Sequence, residues 1–117
     1  MIGRVHDRAT FEALRRQGLR VRRGPVTVVY LPAAAPPPRA AFAISRKVGN
    51  AVARNKVRRR LRSILRELEG PVAGEQLPNG TYLLTTRPGV AVLPYSELSD
   101  LVGSACRAVT GAARGTT

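Results

Sequence analysis

The sequence predicts an α+β domain of two layers, a small mixed sheet with helices packed against it, in the order α-β-β-α-β-α. Three observations carry that expectation. Residues 51 to 69 repeat apolar side chains at the 3.6-residue period of an amphipathic helix, and residues 26 to 31 and 81 to 86 are short runs rich in β-branched and aromatic residues. Stretches rich in Gly and Pro separate these segments. At 117 residues the chain is long enough for one modest core. We expect a single domain over 1–110 and a disordered tail over 111–117.

Taken in order, Asp7 is a natural cap for a first helix running to Gln17, with Gly18 as its terminator. Phe11 and Leu14 share one face of that helix, while Arg8, Glu12, Arg15 and Arg16 point mostly outward. Arg20, Arg22 and Arg23 form a basic loop ahead of the first strand, residues 26 to 31 (VTVVYL), whose near-continuous apolar character suits a strand with little exposed surface. Residues 32 to 38, PAAAPPP, are a stiff connection, the alternative being a proline-rich recognition site. The second strand spans residues 39 to 45. Tyr30 and Phe42, on these two strands, are candidates either for an exposed, base-stacking sheet face or for the core.

The long helix follows directly. On its wheel Ala53, Val57, Leu61, Ile64, Leu65 and Leu68 form one stripe, which faces a core. Asn55, Arg58, Arg59, Arg62 and Arg66 occupy the opposite arc, with Lys56 and Arg60 on a flank and Arg54 near the stripe edge. Glu69-Gly70-Pro71 ends the helix, and a Gly- and Pro-rich loop over 70–80 leads to a third strand, residues 81 to 86. A last helix, Ser96 to Val109, turns Leu98, Leu101, Val102, Ala105 and Val109 inward. Cys106 lies near that face as a small buried residue. The strand–helix–strand run is a crossover between parallel strands, which as a rule is right-handed.

The charge is extreme and local. Twenty Lys and Arg face seven acids, for a formal net charge of +13, and the isoelectric point is near 11.7. Such a balance points to nucleic acid or an anionic membrane as partner. No apolar run approaches the roughly 20 residues that span a bilayer, and the first residues, MIGRVHDRATF, lack the apolar block of a signal peptide. A single cysteine excludes an internal disulfide and fits a reducing cytoplasm.

Nine of the twenty cations lie between Arg46 and Arg66, with no acid among them. Arg58, Arg62 and Arg66 are spaced i, i+4, i+8, where each like-charge pair costs an isolated helix about 0.2 to 0.5 kcal/mol. A helix serving structure alone would gain from acids placed among them. Arginine's planar fork also matches phosphate oxygens. In front of the helix, Asn50 is a fitting N-cap and Gly49 permits a tight turn, so the free N–H groups of the first turn, with Arg46 and Lys47 beside them, suit a phosphate.

At these residues the sequence resembles the protein subunit of bacterial ribonuclease P. The family's signature is matched by Ser45, Arg46, Lys47, Gly49, Ala51, Val52, Arg54, Asn55, Arg58, Arg59 and Arg62. Arg60 departs from it, standing where most relatives have an apolar residue. The resemblance extends more weakly over Phe11 and Gly18, over Thr86-Arg87-Pro88, and from Tyr95 to Leu101. It implies a left-handed crossover around the long helix, as in the second domain of a small-subunit ribosomal protein family. It implies that an RNA subunit carries the active site and that the protein assists Mg²⁺-dependent removal of the 5′ leader of precursor tRNA. The partners are then the catalytic RNA and precursor tRNA, with no membrane and no DNA, and the Mg²⁺ is held mainly by the RNA.

By that resemblance Arg46, Lys47, Asn50, Arg54, Asn55, Arg58, Arg59, Arg62 and Arg66 bind RNA. Phe11, Arg15, Tyr30 and Phe42 are the candidates for the leader, Arg15 standing where many relatives carry a second aromatic. Catalytic chemistry is missing from the chain itself, since its acids are dispersed and His6, the lone histidine, has no nucleophile or metal-ligating partner nearby. Two rivals remain. One is a ribosome-associated structural protein with no role in cleavage; the other is a regulator reading duplex DNA with the long helix, against which stands the absence of a compact helix-turn-helix.

Overall fold

The computed structural model describes residues 2–70 and 77–115, with side chains through residue 113. Along the chain the elements are β1 (Gly3–Arg4), α1 (Arg8–Gln17), β2 (Leu19–Arg23), β3 (Val26–Pro32), β4 (Arg39–Ile44), α2 (Ala51–Glu69), β5 (Gly80–Thr86) and α3 (Tyr95–Gly115). Short 3-10 turns occupy Arg46–Val48 and Val90–Val92. The expected α+β architecture is present, with five strands among the described residues where the sequence suggests three or four.

The five strands form one mixed sheet in the order β1-β4-β5-β3-β2. β3 runs antiparallel to both of its neighbours, β2 and β5, whereas β4 lies parallel to both β5 and β1. The unit β4–α2–β5 is therefore a crossover between adjacent parallel strands, as the strand–helix–strand pattern predicted. Register follows side-chain alternation: Val26, Val28 and Tyr30 of β3 stand opposite Thr86, Leu84 and Tyr82 of β5, which in turn pair with Ile44, Phe42 and Ala40 of β4.

That face is the one the helices cover. Val28, Tyr30, Ala40, Tyr82 and Leu84 share a core with Val57, Leu61, Ile64 and Leu65 of α2 and with Leu98, Val102, Ala105 and Val109 of α3. The α2 stripe buries as the periodicity predicts, although its ends at Ala53 and Leu68 are only half-buried. Each fully buried leucine or isoleucine contributes about 1.5 to 3 kcal/mol relative to exposure.

The opposite face is covered by α1. Asp7 caps this helix, its Oδ2 accepting from Thr10 N at 2.9 Å and Thr10 Oγ1 at 2.6 Å. Those bonds hold the Asp7 carboxyl below its usual range. At the other end Gly18 is required by space: a Cβ there would lie 2.4 Å from the Leu14 carbonyl oxygen and 2.5 Å from Val29 Cγ1. Leu14 and Val29 are buried, so the glycine lets the chain turn from α1 into the sheet at contact distance.

Three expectations are revised. Arg20, Arg22 and Arg23 lie not in a loop but on β2, which alternates half-buried Leu19, Val21 and Arg23 with exposed Arg20 and Arg22. Residues Gly3–Arg4 add an edge strand beside Arg39 and Ala40. The last helix continues past Val109 to Gly115, so residues 111 to 115 are helical rather than a disordered tail. Residues 71–76 of the expected loop, and residues 116 and 117, lie outside the described residues.

Candidate nucleic-acid interface

The loop entering α2 is built from two successive caps. Ser45 Oγ accepts from Lys47 N at 3.2 Å and opens the 3-10 turn. Asn50 Oδ1 accepts from Ala53 N at 2.9 Å and opens α2. Both caps follow from the sequence, because Ser and Asn satisfy orphan N–H groups of a first turn. They display Arg46, Lys47 and Asn50, all exposed, at the positive end of a helix dipole. Gly70, at φ 69°, ends the helix, its N–H donating to the Arg66 carbonyl.

Between these caps the cations fall into three environments. Arg59 and Arg66 are exposed, Arg58 and Arg62 half-buried. Asn55 Oδ1 accepts from Arg58 Nη1 at 2.9 Å and so orients its guanidinium. Arg54 sits at the stripe edge as the wheel predicts: it is half-buried, and its Nε is shielded from solvent with no hydrogen-bond partner among the described residues.

A recess of about 360 Å³ opens where β1 stops and leaves β4 uncovered. Phe11, Phe42 and Leu65 supply apolar wall; Arg4, Arg58, Arg62 and Arg66 supply charge. The Arg62 guanidinium stands 5.6 Å from the centroid of the Phe42 ring, a cation–π distance. Burial, followed by the charges of Arg4, Arg66 and Arg58, moves its pKa down, though an arginine stays cationic at any physiological pH. Four cations around one hollow repel one another, and a polyanion relieves that repulsion. Chemically, the hollow offers phosphate ligands beside flat apolar surface.

The family model described as Ribonuclease P matches residues 3–109. The chain belongs to the ribonuclease P protein family. It is 40% identical over 116 residues to the ribonuclease P protein component of Thermobifida fusca, covering 92% of this chain and 76% of that one. With the component of Streptomyces avermitilis the identity is 34%, over 95% of both chains. The fold matches the ribonuclease P protein of Thermotoga maritima with a TM-score of 0.76 at 19% identity, covering 91% of this chain and 96% of that one. For the Staphylococcus aureus protein the TM-score is 0.73 at 19% identity, covering 94% of each chain.

Within this family member the candidate residues separate. Phe11 and Phe42 meet in the recess, and Arg15 lines a shallower hollow beside it with Phe11, His6, Arg8 and Glu12. Tyr30 does not belong with them. It is 4% exposed, its ring lies 4.7 Å from that of Tyr82, and its hydroxyl donates to the Asn79 carbonyl at 2.7 Å. Its strand position, between β5 and β2 under the helices, leaves no ring face for a ligand. Arg4 and His6, which no pattern in the sequence marks, line the recess. Only the pairing of β1 with β4 brings them there, and a two-residue strand has no periodicity to reveal it.

Arg60, the departure from the family pattern, has a structural use: its Nη1 donates to the Leu93 carbonyl at 2.9 Å and ties α2 to the turn at Val90–Val92. Among the described residues no three His, Cys, Asp or Glu side chains come together as a metal site. No helix among them is long and apolar enough to cross a membrane.

Proposed function

We propose that this chain acts as the accessory protein subunit of ribonuclease P in the cytoplasm, binding the catalytic RNA and the 5′ leader of precursor tRNA during leader removal. The observation that carries this reading is the acid-free basic face of α2 continuing into the recess between Phe11 and Phe42. Arg46, Lys47, Asn50, Arg54, Asn55, Arg58, Arg59, Arg62 and Arg66 contact the catalytic RNA. The single-stranded leader enters the recess, where unstacked bases meet Phe11 and Phe42 and phosphates meet the arginines, with Arg15 adding charge nearby.

The chemistry of cleavage lies in the RNA, together with the Mg²⁺ that it holds. The protein's contribution is electrostatic and positional: cations screen repulsion between two RNAs, which favours both their approach and Mg²⁺ retention. The reading is tested by mixing the chain with a bacterial ribonuclease P RNA and a precursor tRNA at low Mg²⁺ and following leader release. We expect cleavage in the complete mixture that fades as salt rises, and loss of RNA binding in the Arg58→Glu, Arg62→Glu double variant. Unchanged affinity in that variant would sink the assignment of α2. No stimulation at any Mg²⁺ or salt concentration would favour a ribosome-associated RNA-binding role.

A further inference from the structure

Two large aliphatic side chains are mostly exposed among the described residues, Val52 at 77% and Val92 at 84%. A single valine on a surface is ordinary, but one of these stands on the basic helix and the other on a turn fastened to it. Val52 lies in the first turns of α2 and lines a shallow hollow with Asn55, Arg58, Arg59 and Arg62. Val92 ends the 3-10 turn Val90–Val92, whose Val90 is buried in the core and which the Arg60–Leu93 hydrogen bond fastens to α2. Beside that turn a second hollow is lined by Lys56, Arg59, Arg60, Ser63 and Tyr95. Arg59 borders both hollows; among the described residues no acid lines either, the one carboxylate at the margin being Glu67, which accepts from the Tyr95 hydroxyl at 2.8 Å.

An occupant that fills these hollows and also covers the two valines is anionic and carries apolar surface. A regular A-form duplex meets only the first condition, because its base faces are stacked inside. Unpaired nucleotides meet both, offering a base face or ribose to the valine and a phosphate to the arginine. We propose that Val52 and Val92 are apolar contacts for unpaired nucleotides of the catalytic RNA, seated on either side of Arg59. This rests on the RNA-binding reading of α2 and extends the interface beyond that helix onto the turn at Val90–Val92, which the basic motif does not include.

The test compares Val52→Ser, Val92→Ser and Arg59→Gln with the wild type, measuring affinity for ribonuclease P RNA across a salt series together with melting temperature. Each serine variant is expected to bind about fivefold more weakly at every salt concentration, with the salt slope unchanged. Arg59→Gln instead flattens the slope by about 0.7 to 0.9. Isoleucine at either valine position keeps wild-type affinity, and melting temperatures stay close together because both side chains are exposed. Wild-type affinity in both serine variants, alongside loss in the Arg58→Glu, Arg62→Glu variant, overturns the valine contacts and leaves the basic face standing. Wild-type protein that does not bind the RNA overturns both. A serine variant that shifts a dimer to monomer in sedimentation, with RNA affinity intact, assigns the valines to self-association and overturns the proposal.

Discussion

At the scale of single residues, Tyr30 and Phe42 show what strand patterning reveals and what it hides. Both stand on the helix-covered face of the sheet, so alternation alone gives them the same environment. They differ in their neighbours: at Tyr30 β3 is paired on both sides, whereas at Phe42 β4 has β5 on one side and, beyond the end of the two-residue β1, no strand on the other. Phe42 therefore reaches the recess and Tyr30 does not. Cys106 is the opposite case, a small residue on the inward face of a helix and buried as expected. Burial pushes its thiol up to about 12, and the thiolate is the reactive form. We expect no labelling of native protein by a thiol reagent at mildly alkaline pH, and one equivalent once the chain is unfolded in guanidinium. Rapid labelling of the native protein would show that α3 opens far more readily than its packing allows.

At the scale of elements, α1, β3, β4, α2 and β5 were legible because each combines a strong period with a cap or turn residue at its ends. β2 was missed although its signal was present: LRVRR alternates apolar and basic residues from Leu19 to Arg22, and Gly24, at φ 57°, with Pro25 makes the turn into β3. The density of arginine concealed the alternation. Pairing with β3 outweighs the repulsion because Leu19 and Val21 pack on the core while Arg20 and Arg22 stay in water. The cap of α2 has a measurable weight. Replacing Asn50 by Ala should lower stability by about 1 kcal/mol, seen as a fall in the denaturation midpoint at constant m-value. An unchanged midpoint would mean that the Arg46–Val48 turn holds the helix start without the cap.

Over the whole molecule, charge sets behaviour in solution. With a net charge of +13, each phosphate contact releases counterions, and the logarithm of the RNA-binding constant should fall linearly with the logarithm of salt. The steepness counts contacts. Substituting exposed Arg20 or Arg22 by Gln, on the far edge strand from β1, should leave that slope unchanged if the interface is the α2 side alone. A shallower slope in either variant would place RNA on that edge as well. The fold class was legible from the order of periods, but the sheet order was not, since no local pattern records which strands become neighbours.

That order has a temporal consequence. β5 is the central strand, joining β4 on one side to β3 on the other, yet it is the last strand to be synthesised. A nascent chain that has emerged only as far as Glu69 lacks the strand that joins β1 and β4 to β2 and β3, so α2 has no finished sheet to pack on. The seven residues Gly80–Thr86 supply that strand. Until they are synthesised, the most basic stretch of the chain has no complete fold to hold it.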